Sequence, residues 1–263
     1  MAVKRTIYYT DPLTDDFART HIHTKEVGAD FPFAHRCFLW NFFAKALYYC
    51  IAVPIVFLIS KVYLGLKYEN RRVLRQLRST GYFLYGNHTR MLDAFLPAMT
   101  AFPKKAYVIS NPDAVSLPFL QTLVTMLGVI PIPNKFSGMR QFLSSVQQRY
   151  RENNVIAIFP EAHIWPFYTG IRPFSDTSFR YPEKLGAPVV AMVTTYRRRR
   201  GLGRLLRRPG MTITLSEPFY PDAALSAREA QQKLRDQVYH FMVSVASSHE
   251  NICYYDYQPA PQE

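Results

Sequence analysis

Apolar runs of strand length recur along most of this chain, separated by amphipathic stretches of helical length. That alternation leaves few folds open. The runs fall at residues 82–86, 106–109, 128–132, 155–159 and 188–194, and residues 211–215 alternate in period two. Helical patterns cover 93–101, 113–127, 138–151 and 174–185. A basic amphipathic stretch at 67–79 and a closing stretch at 226–250 also read as helices. Strands this apolar need cover on both faces, and crossover helices between parallel strands supply it. The sequence therefore predicts an α/β fold, with a central, largely parallel sheet flanked by helices.

Ahead of that pattern lies an apolar segment. Between Cys37 and Ser60 only Lys45 is charged. A membrane-spanning helix needs roughly 20 apolar residues. The uninterrupted part here, 46–60, is shorter, and Pro54 is expected to bend it. Basic residues flank both ends, Arg36 before and Lys61 and Lys67 after, so charge sets no polarity. Trp40, Phe42, Phe43, Tyr48 and Tyr49 supply the aromatic content of a membrane interface. An in-plane or re-entrant anchor is expected in preference to a simple span. This gives three parts: a polar segment 1–33, a membrane-associated helical anchor 34–66, and an α/β domain 67–263. The first thirty residues lack the layout of a signal peptide.

Composition narrows the function classes. The 263 residues are 48% apolar, which excludes a wholly disordered chain. Against 19 acidic residues stand 32 basic ones, a formal net charge of +13 that attracts nucleic acid, anionic lipid or CoA-like substrates. The sequence holds no zinc finger, RNA-binding aromatic pattern or G-x-x-G clamp, so nucleic acid is not expected as a partner. The three cysteines, Cys37, Cys50 and Cys253, are odd in number and lack C-x-x-C spacing, which argues against a disulfide framework or a metal site. Arg197, Arg198, Arg199 and Arg200, with Arg204, Arg207 and Arg208, are interleaved with Leu202, Leu205 and Leu206. That mixture suits a loop lying on an anionic membrane surface.

Two strand exits carry candidate chemistry. Asn87-His88-Thr89-Arg90-Met91-Leu92-Asp93 follows the run at 82–86. On a regular helix, residues five apart sit about 140° from one another. With His88 on the loop and Asp93 in the first helical turn, the two side chains can converge. The carboxylate then fixes one imidazole nitrogen and leaves the other as a base. On these residues alone, a helix-capping aspartate beside a structural histidine is the simpler reading. The second exit, Phe159-Pro160-Glu161-Ala162-His163, changes the balance. Ligands of α/β sheets bind outside the carboxyl ends of strands, so both motifs can line one crevice.

The ordered set N-H-x4-D, F-P-E, Ala187-Pro188-Val189-Val190 and Pro209-Gly210 followed by Glu217-Pro218 resembles the glycerophospholipid acyltransferases. The likeness is to the 1-acylglycerol-3-phosphate acyltransferase type and runs from about Tyr82 to Tyr220. It implies a fatty acyl donor, acyl-CoA or acyl carrier protein, as co-substrate, with no metal or redox cofactor. It further implies a lysophospholipid acceptor and a membrane-associated protein whose catalytic domain faces the cytoplasm. By this resemblance His88 is the general base and Asp93 its partner. Asn87, Phe159, Pro160, Glu161 and His163 would line the acceptor pocket, although His163 fits a structural role as well. The chain departs from the family in two places. Ala162 stands where a glycine usually follows F-P-E, and Asn134, followed by Lys135, stands where an arginine is usual. Lys135 could supply a point charge to an acceptor phosphate, and Arg140 or Arg172 could replace the missing guanidinium. A catalytically idle lipid-binding module, or a different lipid acceptor, is the competing reading.

Overall fold

Seven of nine strands join in one sheet in the computed structural model, which describes residues 3–17, 24–35, 37–116, 120–248 and 250–261. In chain order the nine strands are β1 (Arg5–Tyr9), β2 (Lys67–Glu69), β3 (Tyr82–Gly86), β4 (Ala106–Ser110), β5 (Val129–Pro131), β6 (Val155–Ile158), β7 (Val189–Arg197), β8 (Gly210–Leu215) and β9 (Tyr255–Pro259). The large sheet has the order β2-β8-β7-β3-β6-β4-β5. Its strands pair in parallel except at β7–β8, so β8 and β2 run against the other five. The α/β class with a mostly parallel sheet is what the apolar runs require.

The central strands explain the missing polar alternation. Every residue of β3 and β6 is buried. Phe83, Tyr85, Ile156 and Ile158 point into a core shared with Phe142 and Val146 of the helix Met139–Arg151 and with Leu234 and Val238 of the helix Ala227–Ala246. Leu84 and Ala157 point into the opposite core, with Val73, Leu77 and Leu96. The closing helix starts at a capping box in which Ser226 and Glu229 satisfy each other's backbone N–H. It buries Ala230, Leu234, Val238 and Met242, one row at fourfold spacing.

Three expectations change. Residues 67–79 do not form one helix: 67–69 join the sheet edge as β2, and Arg71–Leu77 winds as a 3-10 helix. Asn70 between them adopts φ 55°, and its amide donates to the Leu215 carbonyl. Edge pairing with β8 outweighs the local helical pattern. The expected helix 113–127 is a 3-10 turn Pro112–Val115 and a helix Gln121–Leu127, with 117–119 outside the described residues. The stretch 174–185 is helical only from Thr177, as a 3-10 turn and the helix Arg180–Leu185. The polar N-terminal segment also contributes a strand and core residues. Its β1 pairs in parallel with β9, and Val27, Phe31 and Phe33 are buried in the main core.

The apolar segment forms a helix from Phe38 to Tyr63, 26 residues long. At 1.5 Å per residue that is about 39 Å, longer than residues 46–60 suggested. Wider π-type winding at Leu47–Ala52 and Ile59–Tyr63 flanks the α-helical Val53–Leu58. Pro54 sits in the first turn of that piece, where a missing N–H is best tolerated. Arg36, one of the flanking charges, lies outside the described residues. The middle of the helix rests on the domain. Tyr48 and Val53 pack with Met99, and the Tyr48 hydroxyl accepts a hydrogen bond from the Ala106 N–H at 3.0 Å. Away from that contact, Phe38, Leu39, Phe42, Phe43, Ile55 and Leu58 are exposed.

Candidate active site

β3 ends at Gly86, and the loop that follows carries Asn87 and His88 out of the sheet's carboxyl edge. Asn87 is buried, and its amide exchanges two hydrogen bonds with the Thr194 backbone, at 3.0 and 2.8 Å. It extends the β3–β7 pairing by one side chain. Expected in the acceptor pocket, Asn87 has both ends of its amide engaged by the Thr194 backbone and fixes the start of the loop.

The chain turns directly into a 3-10 helix, Met91–Phe95. Asp93 is fully buried there, and its Oδ2 accepts from the Thr89 N–H at 2.6 Å and the Arg90 N–H at 2.7 Å. The same Oδ2 lies 3.6 Å from His88 Nδ1. The turn therefore brings together the two side chains that a regular helix would separate. Two buried polar atoms in this loop have no hydrogen-bond partner, and they are His88 Nδ1 and Asp93 Oδ1. An unmet buried group costs about 1–3 kcal/mol, so a small closing rotation of the imidazole onto the carboxylate is favourable. Hydrogen bonds of this kind are commonly long before substrate is bound.

The imidazole is held from below. Its ring stacks on Phe159 with centroids 4.6 Å apart and planes inclined by 26°. With Nδ1 buried and the side chain 14% exposed, Nε2 is the nitrogen on the open side. Thr89 completes the loop: its hydroxyl lies 2.6 Å from the hydroxyl of Tyr196, itself wholly buried on β7. Burial drives the Tyr196 phenol far above its ordinary value, so it stays neutral. Thr89 and Tyr196 carry no motif that the sequence reading used.

Glu161, at the exit of β6, is buried and braces the two motifs. Its carboxylate accepts from the His88 N–H at 3.4 Å and the Arg172 N–H at 3.1 Å, and it pairs with the Arg172 guanidinium at 3.4 Å. Burial raises the Glu161 carboxyl above its usual range, with the Arg172 charge opposing that shift. Arg172 is 1% exposed. Its guanidinium also donates to the carbonyls of His163 and Pro12, and it lies over the Trp165 ring, 5.0 Å from the centroid. A guanidinium so enclosed is not available to an acceptor phosphate.

None of the remaining candidates has a hydrogen bond or ion pair with the imidazole among the described residues. Pro160 is half-buried in the strand exit. His163 Nδ1 is 3.8 Å from the Asp16 carboxylate. Ala162 adopts φ 64°, the left-handed region, which accounts for a glycine at that place in related motifs. Lys135 pairs with Glu26 at 2.9 Å. Asn134 accepts from the Val27 N–H at 2.8 Å and donates to the Lys25 carbonyl at 3.0 Å. Arg140 lines a separate groove with Phe31, Pro32 and Gln148. Among the described residues, no group of three or more His, Cys, Asp or Glu side chains is placed to hold a metal ion.

Residues 65–195 match the family model described as Acyltransferase. The chain belongs to the acyltransferase family. The match spans the His88 loop, the F-P-E exit of β6 and most of β7. No curated protein matches the chain. Among solved structures, this acyltransferase is similar to the 1-acyl-sn-glycerophosphate (LPA) acyltransferase PlsC from Thermotoga maritima. The identity is 14% and the TM-score 0.49, covering 80% of this chain and 96% of that one.

Proposed function

We propose that this acyltransferase moves a fatty acyl group from an acyl thioester, acyl-CoA or acyl carrier protein, to the hydroxyl of a lysophospholipid, of the 1-acylglycerol-3-phosphate type. One observation carries the reading. An imidazole at the carboxyl edge of a parallel sheet has one nitrogen beside a buried carboxylate and the other on the open side. Asp93 keeps the proton on Nδ1, and Nε2 takes the proton of the acceptor hydroxyl as its oxygen attacks the thioester carbonyl. The tetrahedral intermediate collapses, the carbon–sulfur bond breaks, and the imidazolium returns its proton to the leaving thiolate. General-base assistance of this kind is worth about 10²–10⁴-fold.

The same reading puts the protein on a membrane, with its catalytic domain on the cytoplasmic side. The outer face of the helix Phe38–Tyr63 is mostly apolar, with Lys45 and Lys61 as its exposed charges. Met91 and Phe95, on the turn that holds Asp93, are 61% and 45% exposed, so the crevice has an apolar rim. Contact with the domain at Tyr48 and Val53 favours a helix lying in the interface over one standing across the bilayer.

Transfer of radiolabelled acyl groups tests the reading. Purified wild type, His88→Ala and Asp93→Asn are compared with 1-acylglycerol-3-phosphate and other lysophospholipids. His88→Ala is expected to lose at least about 100-fold in kcat. Asp93→Asn loses less while its backbone hydrogen bonds survive. Equal turnover in all three removes the mechanism. Lipid binding without turnover in the wild type supports a non-catalytic module instead.

A further inference from the structure

One concavity of the molecule is strongly basic. It is a groove of about 630 Å³ between the end of the long N-terminal helix and the β7–β8 connection. Lys61, Lys67, Arg197, Arg198, Arg199 and Arg200 line it, opposed by Glu250.

These six cations divide into two groups. Arg197 and Arg199 are structural. Arg197 donates to the Gly65 carbonyl, and Arg199 to those of Val62 and Tyr63, at the end of a helix whose last carbonyls lack intrahelical partners. Gly65 adopts φ 57°, the left-handed region that favours glycine, and an added Cβ would also push on Arg199 Nη1 at 2.8 Å. Lys61, Lys67, Arg198 and Arg200 are exposed and have no hydrogen bond or ion pair among the described residues. Helix-end carbonyls explain two of the arginines and leave four positive charges unexplained.

One side chain reaches from the site already described towards the groove. Arg90, whose N–H is bound to Asp93, has its guanidinium 5.8 Å from the Tyr63 ring centroid at the groove's edge. The strand register sets the separation. Asn87 pairs with Thr194, and β7 continues to Arg197. Three residues along β7 are roughly 10 Å, and the two strand spacings from β3 to β8 are roughly 10 Å more at right angles. Gly210 of β8, opposite Arg197 at the groove, therefore stands roughly 14 Å from Asn87, next to His88.

That distance selects among phosphates. In a lysophospholipid, the phosphate is about four bonds, roughly 5 Å, from the reacting hydroxyl, too short to reach. In a coenzyme A thioester, the first phosphorus is about 13 bonds from the sulfur, roughly 15 Å when extended. The groove's volume also falls in the range of small-molecule sites.

We infer that the Lys61–Lys67–Arg198–Arg200 groove holds the nucleotide phosphates of a coenzyme A thioester donor while its pantetheine arm runs to His88. This rests on the reading of His88 as the base. It goes further by assigning the donor as a nucleotide thioester and giving it a site.

The test uses full-length protein in detergent micelles. Titration calorimetry with coenzyme A and with 3′-dephospho-coenzyme A compares the wild type with an Arg198→Gln/Arg200→Gln variant. Turnover is then measured with an acyl-CoA and with the corresponding S-acyl-pantetheine, which lacks the nucleotide. The variant is expected to bind coenzyme A at least about tenfold more weakly and to lose at least about tenfold of its kcat/KM preference for the CoA donor. The thermal midpoint reports folding. Lys61→Gln, in the same groove, should weaken coenzyme A binding in the same direction. Unchanged coenzyme A affinity and donor preference overturn the inference. So does a loss confined to sedimentation with vesicles of phosphatidylcholine and phosphatidylglycerol, or to transfer from acyl carrier protein. Coenzyme A bound at these residues by a protein that transfers no acyl group upholds the groove and refutes the acyltransferase chemistry. Turnover indifferent to the groove does the reverse.

Discussion

Removing the Arg172 guanidinium tests whether Glu161 is a brace between the two motifs. Arg172→Met keeps most of the side chain's volume but strips the charge from a pair in which both partners are 1% exposed. It leaves the Glu161 carboxylate without its cation and the His163 and Pro12 carbonyls without a donor. Breaking a buried pair from one side costs about 3–5 kcal/mol. For a chain of this size that lowers the thermal midpoint by about 6–20 °C. Urea unfolding followed by tryptophan fluorescence measures the loss, since Trp165 lies against the guanidinium. The deficit should depend on pH in one direction. The folded Glu161 carboxyl already lies above its usual range, and loss of Arg172 raises it further. A raised group contributes stability below its unfolded value and loses that contribution as pH rises through its folded value. Acidification from neutral towards about pH 4 should therefore shrink the variant's deficit. Adding Glu161→Gln should recover about 1–3 kcal/mol, since it removes the uncompensated buried charge, although its one amide oxygen can accept from only one of the two N–H groups that the two carboxylate oxygens hold. A single-variant cost below about 1 kcal/mol, or a deficit that grows on acidification, refutes the brace.

Three further outcomes follow from the same geometry. Ala162→Gly relieves an alanine held at φ 64° and should raise stability by about 0.5–1 kcal/mol, read as a higher urea midpoint. In Gly86→Ala the new Cβ meets Met192 Cε and Phe159 Cε1, each at 2.9 Å. The methionine tip can move aside, but displacing the ring tilts His88, so acyl transfer should fall about 10–100-fold in a protein whose circular dichroism is unchanged. Combining Phe42→Asn, Ile55→Asn and Leu58→Asn removes outward apolar groups of the long helix without touching its packing on Met99. Flotation with phospholipid vesicles should weaken at least about 100-fold, from about 1 kcal/mol or more lost per side chain.

Legibility followed chain distance. The large sheet's strands other than β2 and the His88–Asp93 convergence could be read because each depends on residues close in sequence. A buried strand announces itself as an unbroken apolar run, and a histidine and aspartate five apart need only a tight turn to meet. The edge strand β2 could not be read. Its KYE sequence sits inside a helical pattern, and pairing with β8, about 145 residues away, decides its conformation. The β1–β9 ribbon joins the two ends of the chain through half-exposed strands that no periodicity distinguishes from loop. The anchoring contacts of Asn87 were hidden for a related reason. Motif position marked it as important, but only the register between β3 and β7 reveals that Thr194 takes both ends of its amide.

The two departures from the family pattern, separate in sequence, have one physical setting. Asn134, in the place where arginine is usual, holds the backbone at Lys25 and Val27, and its neighbour Lys135 pairs with Glu26. Around the altered F-P-E block, His163 faces Asp16, the Trp165 indole donates to the Asp15 carbonyl, and Arg172 donates to that of Pro12. Both places therefore receive the N-terminal segment, 12–16 at one and 25–27 at the other. An arginine at 134 could not reproduce an amide that both donates and accepts, since a guanidinium only donates. Leaving the Val27 N–H unmet would cost about 1–3 kcal/mol and loosen a segment whose Val27, Phe31 and Phe33 are part of the main core. Asn134 at one place, and the neighbours of Ala162 at the other, fasten this segment, so the departure at 134 is explained by packing before any substrate is considered.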